Sequence, residues 1–133
     1  MFERGIHSVI RDLPKDKGLK AVIVGWGYVG LPLAVAAAES GISVVGLDRN
    51  ETIVNGLNSG ASHIDDLNAQ DIAELLSNGF TATTDPACIA ETDVVVICVP
   101  TPLDSSGQPD LKAVMGASRD IAQFAHDDLT VVL

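Results

Sequence analysis

Three glycines, Gly25, Gly27 and Gly30, stand in G-x-G-x-x-G spacing directly after the apolar run from Lys20 to Val24. Each has a physical task in that setting. The first suits a tight turn, the second lets a pyrophosphate approach the backbone, and the third lets a helix pack close to a strand. The chemistry would be capture of a dinucleotide by main-chain N–H groups at a helix N-terminus, which needs no lysine. Twelve glycines in 133 residues can produce such spacing by chance. The pattern therefore carries weight only if a strand precedes it, a helix follows it and an acid closes the next strand. Asp48, 18 residues beyond Gly30, is that acid. A carboxylate there accepts hydrogen bonds from ribose hydroxyls and repels a 2′-phosphate, which favours NAD over NADP. Arg49 follows and is read as flanking the adenosine, although its charge can in principle attract the phosphate that Asp48 repels. Gly25, Trp26, Gly27, Tyr28, Val29, Gly30, Asp48 and Arg49 are candidate cofactor-binding residues.

A second group, Val99, Pro100 and Thr101, opens the stretch Val99 to Asp104. Pro100 and Pro102 end the preceding strand, stiffen the loop and leave the Thr101 hydroxyl as its main polar handle. In a parallel sheet of order 3-2-1-4-5, this loop leaves the fourth strand beside the glycine turn, at the topological switch point. Turn chemistry that merely ends a strand explains the same residues equally well. Other reactive side chains are poorly placed. Cys88 and Cys98 form no C-x-x-C and read as buried reduced thiols of a cytosolic protein, with no activating partner near in sequence. His7, His63 and His126 are scattered without ligand spacing, so no metal site is expected.

The elements that must hold these residues alternate. Phe2, Ile6, Val9, Ile10 and Leu13 lie on one face of an amphipathic helix that Pro14 ends, so residues 1–19 read as a flanking helix and turn. From residue 20 to 133 the pattern is one α/β unit. Lys20 to Val24 is a strand covered on both faces. A helix is predicted from Tyr28 to Ser40, with Pro32 tolerable in its first turn and Gly41 its left-handed cap. Strand Ser43 to Leu47 follows, then helices Glu51 to Asn58 and Asn68 to Ser77, the first capped by Asn50. Strand Phe80 to Thr83, a helix from Asp85-Pro86 to Glu91 and strand Val94 to Cys98 come next. Asp110 is expected to cap a helix from Leu111 to Ala125, and Leu129 to Leu133 begins a fifth strand. Such alternation predicts a Rossmann-type, doubly wound parallel sheet in the order 3-2-1-4-5. The sheet is expected to be truncated at its last strand, as a fragment of a longer chain, with an edge at Thr130 to Leu133 that favours self-association.

Bulk properties narrow the function classes. The chain is 47% hydrophobic and 20% charged, as in globular proteins. Its net charge of −10 is uneven: residues 1–20 hold five Lys/Arg and three Asp/Glu, whereas residues 21–133 hold three and fifteen. That acidic body argues against nucleic acid. The longest apolar run, Leu31 to Ala38, is interrupted by Pro32 and too short to span a bilayer, so no membrane is expected. With no signal peptide visible, the expected location is cytoplasmic.

The stretch Gly25 to Ala34 closely resembles the signature of the UDP-glucose/GDP-mannose dehydrogenase family, the nucleotide-sugar 6-dehydrogenases. Gly46 to Asn50, Ser62 to Asp66, Cys98 to Asp104 and Gln108 to Leu111 resemble later blocks of that family, in order, so the resemblance covers residues 20 to 133. It implies an N-terminal NAD-binding domain of an enzyme that oxidises the sugar C6 alcohol of a nucleotide sugar to a carboxylate. Two successive hydride transfers, through a covalent thioester, are implied. It further implies that Thr101 sits beside the nicotinamide and that the full-length enzyme is a homodimer. The family's nucleophilic cysteine, with its lysine and aspartate partners, lies further along than Leu133 and has no counterpart here. These residues are thus expected to bind NAD without catalysing. In the resemblance, Leu31-Pro32 and Leu103-Asp104 lean towards UDP-N-acetylhexosamine enzymes over UDP-glucose or GDP-mannose ones. Two other readings stay open: a stand-alone NAD-sensing regulatory domain, and the N-terminal domain of a β-hydroxyacid-type dehydrogenase, against which the Val99 to Asp104 loop argues.

Overall fold

The computed structural model describes residues 18–63 and 67–133. The helix expected between Phe2 and Leu13, and Ile64 to Asp66, lie outside the described residues. Five parallel strands make one sheet: β1 (Lys20–Val24), β2 (Ser43–Leu47), β3 (Thr81–Thr83), β4 (Val94–Ile97) and β5 (Thr130–Val132). Their spatial order is β3-β2-β1-β4-β5, as the alternation predicts. Helices α1 (Gly30–Glu39), α2 (Glu51–Asn58), α3 (Ala69–Ser77) and α4 (Lys112–Phe124), with a 3-10 helix over Pro86–Glu91, form the connections. Val24 is in register with both Leu47 and Ile97, so the loops after β1, β2 and β4 leave one edge of the sheet together.

Strand β1 is apolar at every position after Lys20 because both of its faces are covered. Ile23 points into a cluster with Leu31 and Ala34 of α1, Val54 and Leu57 of α2, and Ile72 and Leu75 of α3. Val22 and Val24, on the opposite pleat, meet Ile89 of the 3-10 helix and Ala117 and Ile121 of α4. Ile23, Leu31, Leu57, Ile72, Leu75 and Ile89 are each no more than 1% exposed. Burial of that kind contributes roughly 1.5–3 kcal/mol per side chain. At the sheet's edge β5 is exposed throughout, with Val131 and Val132 about half accessible.

Several boundaries move from their predicted places for local reasons. Helix α1 begins at Gly30 and not at Tyr28, because Gly27 to Val29 make the turn, with the Gly27 carbonyl accepting from Leu31 N–H at 3.3 Å. At its other end the prediction holds: Gly41 is left-handed at φ 82°, and Ile42 N–H reaches the Ala37 carbonyl at 3.0 Å. Asn50 caps α2, and Asn68 with Asp71 forms a capping box on α3. Helix α4 begins at Lys112, whose N–H donates to Asp110 Oδ1 at 3.0 Å. Strand β3 starts one residue after Phe80, which instead fills the core at 3% exposure.

Candidate functional site

The glycine turn after β1 is held from three sides. Gly25 has φ +93°, a left-handed conformation that a side chain strains, and its N–H donates to the Leu47 carbonyl at 3.1 Å. A Cβ on Gly25 would stand 2.9 Å from the Cys98 backbone and from Val99 Cα, so β4 closes the turn from behind. One on Gly30 would stand 2.0 Å from the Gly25 carbonyl oxygen, which shows how closely α1 packs on the turn that precedes it. A Cβ on Gly27 would meet no heavy atom within 4 Å. The same motif therefore divides its labour. Gly25 and Gly30 permit packing, and Gly27 leaves its backbone open.

Gly27 faces a cavity of about 420 Å³ at the carboxyl ends of β1, β2 and β4. Its wall brings together Gly25, Trp26, Gly27, Asp48, Arg49, Val99 and Pro100 from the predicted residues. Gly30 is buried beneath it, in packing. Tyr28 and Val29, each about two-thirds exposed, stand at the entrance to α1 and do not line the cavity; nor does Thr101, exposed on the following loop. Helix α1 has no acidic residue in its first turn, and Val29 provides no side-chain cap. With the Leu31 N–H donated to the Gly27 carbonyl and Pro32 carrying none, what the helix start leaves for a ligand is its positive dipole end.

The indole of Trp26 turns away into the core, 3% exposed and edge-on to Phe80 at 5.2 Å between ring centroids. It lies across Gly46, where a Cβ would stand 2.2 Å from the ring. The glycine inside β2 is there to admit the ring. His63 Nε2–H donates to the Trp26 carbonyl, so the loop after α2 is tied to the glycine turn. Asp48 is half-buried at the end of β2; its N–H donates to the Thr83 carbonyl at 3.1 Å, and its Oδ1 accepts from Asn50 N–H at 2.9 Å. That fixes the carboxyl group at the cavity with Oδ2 spare. Arg49 reaches helix α4, where Nη2 donates to Asp120 Oδ2 at 2.8 Å.

Sequence reasoning missed part of the wall: Ile53, His63, Ala113, Ala117 and Asp120, and it read Asn50 only as a helix cap. The face Ala113, Gly116, Ala117 and Asp120 has helical spacing with small residues and one acid, a signal that becomes meaningful only once α4 is known to pass the cavity. Beyond the cavity, the loop after Thr101 is folded around Asp104. Its Oδ1 accepts from Ser106 Oγ at 2.6 Å, Gln108 N–H at 3.0 Å and Ser106 N–H at 2.8 Å, which holds the Asp104 carboxyl below its ordinary 3.8. Burial, with Asp85 nearby, pushes the Cys88 thiol up to about 11, and burial also raises Cys98. Burial thus works against thiolate formation at both cysteines. Among the described residues no cluster of three or more His, Cys, Asp or Glu is placed to hold a metal ion, and no helix is long and apolar enough to cross a membrane.

Comparison with known proteins agrees with this geometry. The description "UDP-glucose/GDP-mannose dehydrogenase family, NAD binding domain" matches residues 19–133. The UDP-N-acetyl-D-mannosamine dehydrogenase of Pyrococcus horikoshii is 34% identical over 117 residues, 86% of this chain and 28% of that protein. The UDP-N-acetyl-D-glucosamine 6-dehydrogenase of Pseudomonas aeruginosa is 36% identical over 107 residues, 80% of this chain and 25% of that protein. The solved structure of the Pyrococcus horikoshii UDP-D-ManNAc dehydrogenase superposes with a TM-score of 0.78 at 32% identity, covering 85% of this chain and 27% of that one. The chain thus spans about a quarter of the length of these curated relatives. Glycine turn, strand-end acid, sheet order and these matches together establish that the chain belongs to the UDP-glucose/GDP-mannose dehydrogenase family, as its NAD-binding domain.

Proposed function

We propose that this domain serves an enzyme that oxidises the C6 alcohol of a UDP-N-acetylhexosamine, or of UDP-glucose, to the carboxylate, and that residues 1–133 bind NAD without turning over sugar. One observation carries the assignment of the site: Gly27 leaves the backbone open beside the uncapped start of α1, while Asp48 holds a carboxyl group across the same cavity. These residues fit the cofactor. The positive end of α1 and the open Gly27 backbone suit a pyrophosphate, and Asp48 Oδ2 suits a ribose hydroxyl. When bound, NAD supplies the hydride acceptor. The chain's own part is to hold it: the Cys98 and Val99 backbone after β4 seals the turn behind Gly25, the Trp26 ring packs over Gly46 of β2, and Pro100 lines the same cavity. The names of the relatives, which act on UDP-N-acetylhexosamines, support that substrate class. Residues 20–133 are the binding unit in this reading. The nucleotide sugar and a homodimer partner belong to the full-length enzyme, which is cytoplasmic and feeds polysaccharide synthesis.

Titration calorimetry with NAD and an NADH-absorbance assay with UDP-sugars test the proposal. Saturable NAD binding with no NADH produced is the expected result. No binding at millimolar NAD would remove the cofactor site, and turnover by these 133 residues would remove the division of labour.

A further inference from the structure

We propose that Asp120 is a second determinant of the choice of NAD over NADP, acting through Arg49. The inference rests on the NAD reading above and extends it to a residue 72 positions beyond Asp48. Among the described residues that line the cavity, Arg49 is the only Lys or Arg side chain, and it follows directly on the acid that faces the ribose. A guanidinium at that place is what accommodates a 2′-phosphate, because its fork matches phosphate oxygens in a bidentate contact. Asp48 alone therefore leaves the discrimination unfinished: it repels the phosphate while its neighbour attracts it.

The structure finishes it from the other side of the cavity. Arg49 lies across helix α4 at Gly116, where a Cβ would stand 3.1 Å from both Nη1 and Nη2 and 3.2 Å from Cζ. Asp120, one turn on, accepts from Nη2 at 2.8 Å. Ala113, Gly116, Ala117 and Asp120 share one face of α4, three small residues that admit the guanidinium and one acid that holds it. The pair has two consequences for a 2′-phosphate. It occupies part of the Arg49 fork, and the Asp120 carboxylate offsets the charge through which Arg49 would attract the phosphate. A ribose with a free 2′-hydroxyl meets neither obstacle. Asp120 is thus a positioning residue, with Arg49 its only route to the cofactor.

Arg49 is 70% exposed and Asp120 24%, so the pair is partly screened. Its effect is correspondingly about fivefold in an affinity ratio, the scale of an exposed ion pair. The test is calorimetry on the 133-residue chain, with NAD titrated directly and NADP as its competitor. The variants are Asp120→Ala, Asp120→Asn, Arg49→Gln and Asp120→Ala/Arg49→Gln. The expected result is that the ratio of the NADP Kd to the NAD Kd falls about fivefold in Asp120→Ala. It falls less in Asp120→Asn, which keeps an acceptor for Nη2. No fall occurs when Arg49 is Gln, and raising the salt from 50 to 500 mM shrinks the Asp120→Ala effect. A merely structural Asp120 would weaken both cofactors together and leave the ratio alone, which overturns the proposal. An equal fall in both Arg49 backgrounds overturns it too. Wild type failing to bind NAD defeats the cofactor site itself, whereas NAD binding with an unmoved ratio defeats only this inference.

Discussion

Two glycines of one motif should respond oppositely to the same added methyl group. At Gly30 the new Cβ would lie 2.0 Å from the Gly25 carbonyl oxygen, so α1 must lift from the turn by about 1 Å to restore contact distance. Both groups are tied to main chain, so no rotamer change relieves the overlap. Overpacking costs typically ~1–3 kcal/mol, and an overlap without a soft partner belongs at the upper end. For a domain of this size about 3 kcal/mol corresponds to a fall in Tm of roughly 10 °C. At Gly27 the same methyl meets nothing within 4 Å, and the residue is not among the left-handed glycines. Gly27→Ala should therefore leave Tm unchanged or raise it by about 1–3 °C, through the reduced entropy of the unfolded chain. Its methyl would project where the pyrophosphate must come, and NAD affinity should drop at least about tenfold, some 1.4 kcal/mol. Differential scanning calorimetry and NAD titration on both variants measure the two axes separately. Wild-type NAD affinity in Gly27→Ala would refute the open-backbone role. Wild-type Tm in Gly30→Ala would refute the packing role.

Three further outcomes follow from the same structure. Asp48→Ala should weaken NAD roughly 10- to 100-fold by removing hydrogen bonds to a charged acceptor, while weakening NADP far less; calorimetry with both cofactors checks this. Because the hydrogen bonds from Ser106 and Gln108 depress the Asp104 pKa, the order that this carboxylate gives its loop is complete above pH 3.8 and is lost as pH falls through its lower folded value. An NMR pH titration should show the Ser106 and Gln108 amides shifting together with a midpoint below 3.8, and a midpoint at or above 3.8 counts against that turn. Burial with Asp85 nearby raises the Cys88 thiol from 9.0 to about 11, so its thiolate fraction at pH 8 is about 100-fold lower than in the unfolded chain. Iodoacetamide should label Cys88 at pH 8 far more slowly in native protein than in urea, and comparable rates would show that the thiol is not buried.

The elements were largely legible because their signals are local. β1 announces itself through four consecutive apolar residues, α2 through Asn50, and α1's end through Gly41. Strand–helix alternation then restricts the sheet to few topologies, and the observed order follows. The site was legible where the glycine spacing and Asp48 encode it within about one βαβ unit. Boundaries shifted at Tyr28 and Phe80, where propensity alone does not say whether a residue turns, caps or fills the core.

Other features depended on where distant segments meet. Nothing in the local sequence tells that the Trp26 indole enters the core over Gly46, or that Gly27 faces open space while Gly25 and Gly30 are enclosed. Nor does it tell that Arg49 meets Asp120, a partner 71 residues away on a helix whose small residues make room for it. The periodicity of side chains and the φ preferences of glycine, proline and asparagine act over a few residues, so a chain read in order reveals them. Contact across a sheet, and the charge balance of a cavity between strands and a helix, exist only after the chain has folded back on itself.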